Sequence, residues 1–159
     1  GITDLSMAGV FMGKDMGYAP CTPSACMKVL DHYGIDCTGK KVVVIGRSLV
    51  VGKPAAMMLL KKNATVTICH TRTKDLAGTC RNAEILVAAA GRAKMLNGDY
   101  VAQDAVVIDV GINVDENGKL CLNKAKLIVY SHGDYLALGR KLGSFGYSVR
   151  KKKPVRRKK

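Results

Sequence analysis

The run Val42-Val43-Val44-Ile45, followed at once by Gly46, restricts the possible folds of this chain more than any other feature. Four β-branched residues in a row are too few for a helix and fit a strand buried on both faces. A glycine-bearing bend from Gly46 to Pro54 comes next, and Ala55 to Lys62 then reads as a helix. Thr65 to Cys69 gives a second strand, and a weaker helix covers roughly Asp75 to Arg81. Ile85 to Ala88 and Ala105 to Val110 give the third and fourth strands. Strands alternating with helices at this spacing predict right-handed βαβ units. The expected fold is therefore α/β and Rossmann-like, a mostly parallel sheet with helices on both faces, plus a basic C-terminal extension.

The flanks are less patterned. Residues 1–20 are rich in Gly and Met without periodicity and read as a partly ordered lead-in. Thr22 is a good N-cap and Pro23 suits the first helical position, so a helix should run from there to near Gly34. Asp115-Glu116-Asn117-Gly118 is a turn signal, and Lys126 to Tyr130 fits one more strand. The expected division is a lead-in over 1–20, a dinucleotide-binding domain over 21–121 and a basic extension over 122–159.

Charge separates the two ends. Residues 1–118 hold 13 Lys and Arg against 11 Asp and Glu, whereas residues 119–159 hold 13 against one. The last ten residues carry eight cations, a block that repels itself and stays disordered unless a polyanion neutralises it. Hydrophobic residues make up 48% of the 159, enough to bury a core. No apolar run reaches the length of a membrane span, no secretory signal is visible, and the missing initiator Met points to a fragment or a processed chain. The six cysteines have no C-x-x-C spacing, which disfavours a zinc or redox motif and fits free thiols in an intracellular compartment, cytoplasmic or mitochondrial.

The bend after the first strand is a phosphate-site candidate. Glycines there would let the backbone approach a ligand, and a helix N-terminus would offer unbonded N–H groups. Arg47 adds a fixed charge and Ser48 a hydroxyl. The bend is not G-x-G-x-x-G, since Ser48 stands at the middle glycine, and a tight turn needing glycine for packing alone is the competing reading. After the second strand, Cys69-His70-Thr71-Arg72-Thr73-Lys74 has no acid to hold ribose hydroxyls. Arg72, Thr71 and Arg47 would instead welcome a 2′-phosphate, favouring NADP over NAD. His70 could lie near a cofactor or hold a structural hydrogen bond. Asp109, ending a buried strand, should bond nearby donors. No metal cluster or nucleophilic triad is legible.

Four segments together carry a family resemblance: PCTPSACMKVLDHYGID, KKVVVIGRSLVVGKPAAMMLLKKNATVTICHTRTKDL, AEILVAAAGRAKML and AVVIDVGINVDENGKL. They resemble the nucleotide-binding domain of bifunctional methylenetetrahydrofolate dehydrogenase/methenyltetrahydrofolate cyclohydrolase, from about Gly1 to Cys121. The resemblance implies hydride transfer and cyclohydrolase chemistry on one-carbon tetrahydrofolates, NADP as cofactor and a homodimer. It places Gly46, Arg47, Ser48, Val51 and Gly52 at the phosphates and Thr71 near the 2′-phosphate. Ala90 and Gly91 would pass beneath the cofactor. Val110, Gly111, Ile112 and Asn113 would approach the nicotinamide. Members of the family carry their catalytic Lys in a Tyr-x-x-x-Lys motif on a preceding folate-binding domain. Here only Tyr147 and Lys151 have that spacing, and they fall in the basic tail, so no catalytic residue is assigned.

Two functions fit these observations. One is the cofactor-binding part of a folate enzyme, not catalytic alone. The other is a repurposed RNA-binding component of a ribonucleoprotein such as a ribosome. In the second case Arg150, Lys151, Lys152, Lys153, Arg156, Arg157, Lys158 and Lys159 would neutralise backbone phosphates.

Overall fold

A computed structural model describes residues 1–91, 95–96, 98–111, 113–114, 120–121 and 126–129, from 113 onward as backbone only. Ile112, the side chain of Asn113 and the cations from Arg150 to Lys159 lie outside the described residues.

Strand β1 spans Lys41–Ile45, β2 Thr65–Cys69, β3 Ile85–Ala88 and β4 Val106–Asp109. Their order across the sheet is β2-β1-β3-β4, and all three pairings are parallel. β7, Lys126–Val129, continues the sheet antiparallel to β4 beyond residue 121. β5 (Asn113–Val114) and β6 (Leu120–Cys121) pair antiparallel on either side of the expected turn. The Rossmann-like reading holds.

Alternation along the strands sends neighbouring side chains to opposite faces. Val42, Val44, Ile85, Val87 and Ile108 form one core with Cys26, Met27 and Leu30 of α2 (Cys21–His32) and with Ala56 and Leu59 of α3 (Gly52–Lys61). Val43, Ile45, Leu86 and Val107 form the other, with Cys69, Ala83 and Cys80 of α4 (Leu76–Arg81). Helices thus cover both faces. Cys26, Cys37, Cys69 and Cys80 are buried free thiols, and burial pushes Cys26 and Cys80 up to about 11.

Two local expectations need correction. Residues Asp4–Met12 form a helix, α1, that packs against α3. Its buried residues are Ser6 and Gly9, so apolar periodicity could not reveal it. Polar anchors hold it instead: Thr3 caps its start, and the Ser6 hydroxyl accepts from the Tyr18 N–H at 3.1 Å. Helix α2 begins at Cys21, ahead of Thr22, with Pro20 as its N-cap and no side-chain cap bond. Pro23 therefore sits third in the helix, still within the turn whose N–H groups have no helical partner.

Candidate functional site

The chain runs from β1 outward to β2, then crosses to β3 on the other side of β1. This reversal is a topological switch point, the place at the carboxyl ends of β1 and β3 where open α/β sheets take ligands. Four loop roots meet there, and the backbone zips them together. Gly46 N–H donates to Cys69 O at 2.8 Å, Ala89 N–H to Ile45 O at 2.8 Å, and Val110 N–H to Ala88 O at 2.9 Å.

The glycines explain how these loops come so close. Gly46 has φ +126°, and a Cβ on it would lie 2.6 Å from Ala89 O. A Cβ on Gly52 would lie 2.1 Å from Gly46 O, and one on Gly111 2.5 Å from Ala90 O. The space these three glycines leave is filled by neighbouring carbonyls. These contacts fit the reading of a tight turn that needs its glycines for packing: here, backbone stacks on backbone.

Ser48 closes the start of α3. Its Oγ accepts from the N–H groups of Val51 at 3.1 Å and Gly52 at 3.3 Å. Lys53 N–H donates to Ser48 O, Pro54 has no N–H, and Ala55 N–H donates to Val51 O. The first turn of α3 is therefore satisfied internally, contrary to the expected unbonded amides. The free donors lie one step earlier. The backbone N–H groups of Arg47, Ser48, Leu49 and Val50 donate to no other described residue, and all four residues are exposed. Ser48 three residues before Val51 is a capping signal that sequence reading passed over.

At the end of β2, Thr71 and Arg72 are exposed, while His70 and Thr73 are half-buried. His70 Nδ1 accepts from the Arg72 N–H at 3.1 Å, so of the two roles open to His70 the structure shows the hydrogen-bonded one. Asp109 Oδ1 accepts from the Gly111 N–H at 3.0 Å, the kind of partner its position requires. Ala90 and Val110 are half-buried and Gly91 is exposed at the same sheet edge. Among the described residues no His, Cys, Asp and Glu side chains group as a metal site, and no helix is long and apolar enough to cross a membrane.

Residues 20–128 match the family described as tetrahydrofolate dehydrogenase/cyclohydrolase, NAD(P)-binding domain. The chain belongs to this family. The bifunctional protein FolD of Carboxydothermus hydrogenoformans is 60% identical over 120 residues, covering 74% of this chain and 42% of that protein. The bifunctional FolD of Campylobacter jejuni superimposes with a TM-score of 0.71 at 43% identity, covering 75% of this chain and 42% of that one. The Trypanosoma brucei FolD, solved with NADP cofactor and inhibitor, gives a TM-score of 0.68 at 34% identity, covering 75% of this chain and 43% of that one. This chain thus spans less than half the length of these tetrahydrofolate dehydrogenase/cyclohydrolases, and what it shares with them is the NAD(P)-binding domain. The RNA-binding alternative finds no support in the comparisons.

Proposed function

We propose that this chain is the NADP-binding part of an enzyme that oxidises methylenetetrahydrofolate and hydrolyses the methenyl product, with the folate-side catalytic lysine on a segment other than residues 1–159. One observation carries the reading: an exposed bend at the switch point whose four amides, Arg47 to Val50, have no partner among the described residues. Successive free amides beside a guanidinium are a donor set suited to a pyrophosphate. NADP, when bound, supplies the nicotinamide that accepts hydride.

The chain's own groups bind and orient. Arg47 and the amides of the bend hold the diphosphate, and Ser48 shapes that bend by its grip on Val51 and Gly52. Thr71 and Arg72, with Arg47, take the 2′-phosphate. Ala90 and Gly91 form the floor, and Val110 and Gly111 face the nicotinamide end. The binding unit extends through β7, which completes the same sheet. A homodimer, which the family resemblance implies, and an intracellular location belong to the same proposal.

Calorimetric titration of the 159-residue chain with NADP and with NAD tests this. NADP should bind at least about tenfold more tightly, since a charge-assisted contact to phosphate is worth roughly 1.5–3 kcal/mol. A parallel dehydrogenase assay with methylenetetrahydrofolate should show no turnover. Equal binding of both dinucleotides would overturn the NADP assignment, and ordinary turnover would overturn the placing of the lysine elsewhere.

A further inference from the structure

We propose that His70 and Thr73, which need not touch any ligand, are positioning residues that set the preference of this sheet edge for a 2′-phosphorylated dinucleotide. The proposal rests on the NADP reading above and adds to it the device that holds the phosphate-facing side chains in place.

Gly46 N–H to Cys69 O is the last rung joining the roots of the β1 and β2 loops. His70 follows that rung immediately, so the turn it starts stands beside the Gly46–Arg47 bend. Three hydrogen bonds close this turn within four residues. Thr73 N–H donates to His70 O at 2.9 Å, His70 N–H donates to Thr73 Oγ1 at 2.8 Å, and Arg72 N–H donates to His70 Nδ1 at 3.1 Å. Both side chains that close it, His70 and Thr73, are half-buried. The turn starts directly after Cys69, which is buried at the end of the strand and ties it to the core. Neither Thr71 nor Arg72 spends its side chain on the turn, and both remain exposed.

The arrangement works as an Asx turn does. An acceptor two bonds from its own Cβ captures the N–H two residues on and fixes the peptide between them. Here an imidazole nitrogen plays that part. A ligand meeting Thr71 and Arg72 on a turn already ordered loses less freedom on binding than one that must order it. A dinucleotide without the 2′-phosphate makes no use of that order. Loosening the turn should therefore cost affinity for one cofactor and not for the other, and this separates a positioning role from a merely structural one.

The experiment measures NADP and NAD affinity and the thermal midpoint on the 159-residue chain carrying His70→Ala, His70→Asn, Thr73→Val or Thr73→Ser. His70→Ala and Thr73→Val should each weaken NADP about tenfold and leave NAD within about twofold. His70→Asn restores an acceptor for the Arg72 N–H and Thr73→Ser restores a hydroxyl, so both should recover most of the preference. Full NADP preference in both His70→Ala and Thr73→Val overturns the proposal. So does a parallel loss of both dinucleotides with a lowered midpoint, which would make the turn a general structural element. A wild-type chain without preference overturns the NADP reading itself, an outcome visible before any variant is made.

Discussion

Replacing Gly52 by alanine should lower the thermal midpoint sharply and abolish NADP binding in the same step. The added Cβ would lie 2.1 Å from Gly46 O, 2.5 Å from Gly46 C and 2.8 Å from Arg47 N, all of them backbone atoms. No side chain can swing aside. Either α3 or the bend must shift, and the bend is held by its bond to Cys69 O and by the Ser48 grip on Val51 and Gly52. Overpacking against fixed backbone places the cost at about 3 kcal/mol, a fall on the order of 10 °C for a domain of this size. Gly34 is the control. It has φ +63° but nothing within 4 Å of an added Cβ, so Gly34→Ala meets only left-handed backbone strain, about 1 kcal/mol. That substitution should leave NADP affinity unchanged. Thermal melts and titrations of both variants check the contrast, and an unaltered melt for Gly52→Ala would contradict the described packing.

Reversing the charge at position 72 should have the largest effect on cofactor choice. Arg72 is exposed next to the switch-point bend, and the loop from His70 to Lys74 contains no acid. Arg72→Glu removes a charge-assisted donor and puts a carboxylate beside a phosphate. The two changes together should weaken NADP about 100-fold. NAD should hold its affinity or gain some, since a carboxylate there can accept from ribose hydroxyls. Titrations of both cofactors against the same preparation measure this. Equal weakening of NADP and NAD would place Arg72 away from the 2′-phosphate.

The central architecture was legible because its signals are local. Val42 to Ile45 announces a buried strand by composition alone, and the alternating strands and helices that follow fix the parallel order. Helix α1 was not legible, because Ser6 and Gly9 carry its buried face and polar bonds anchor it. The residues that could have revealed it are Thr3 at its start and Gly13, with φ +66°, at its end. At the site, the sequence shows where the glycines stand but not what they touch. Gly46 meets Ala89, far along the chain, and only the strand order brings them together. The amides without a described partner lie in the bend itself, at residues 47–50, and not at the start of α3, where the sequence suggested unbonded N–H groups. Whether Ser48 donates outward or caps the helix depends on backbone angles that composition does not determine. His70 posed the same problem, since one ring nitrogen decides between contact with a cofactor and support of a turn.

If this chain binds NADP as proposed, the amides of Arg47 to Val50 grip its diphosphate. Residue-resolved amide hydrogen exchange of the chain, with and without saturating NADP, addresses it directly. The amides of 47–50 should exchange fast in the free chain and slow strongly on addition of NADP. The amides of Gly52, Lys53 and Ala55, already bonded in the free chain, should change little. Binding of NADP that leaves 47–50 exchanging as fast as before would contradict that grip.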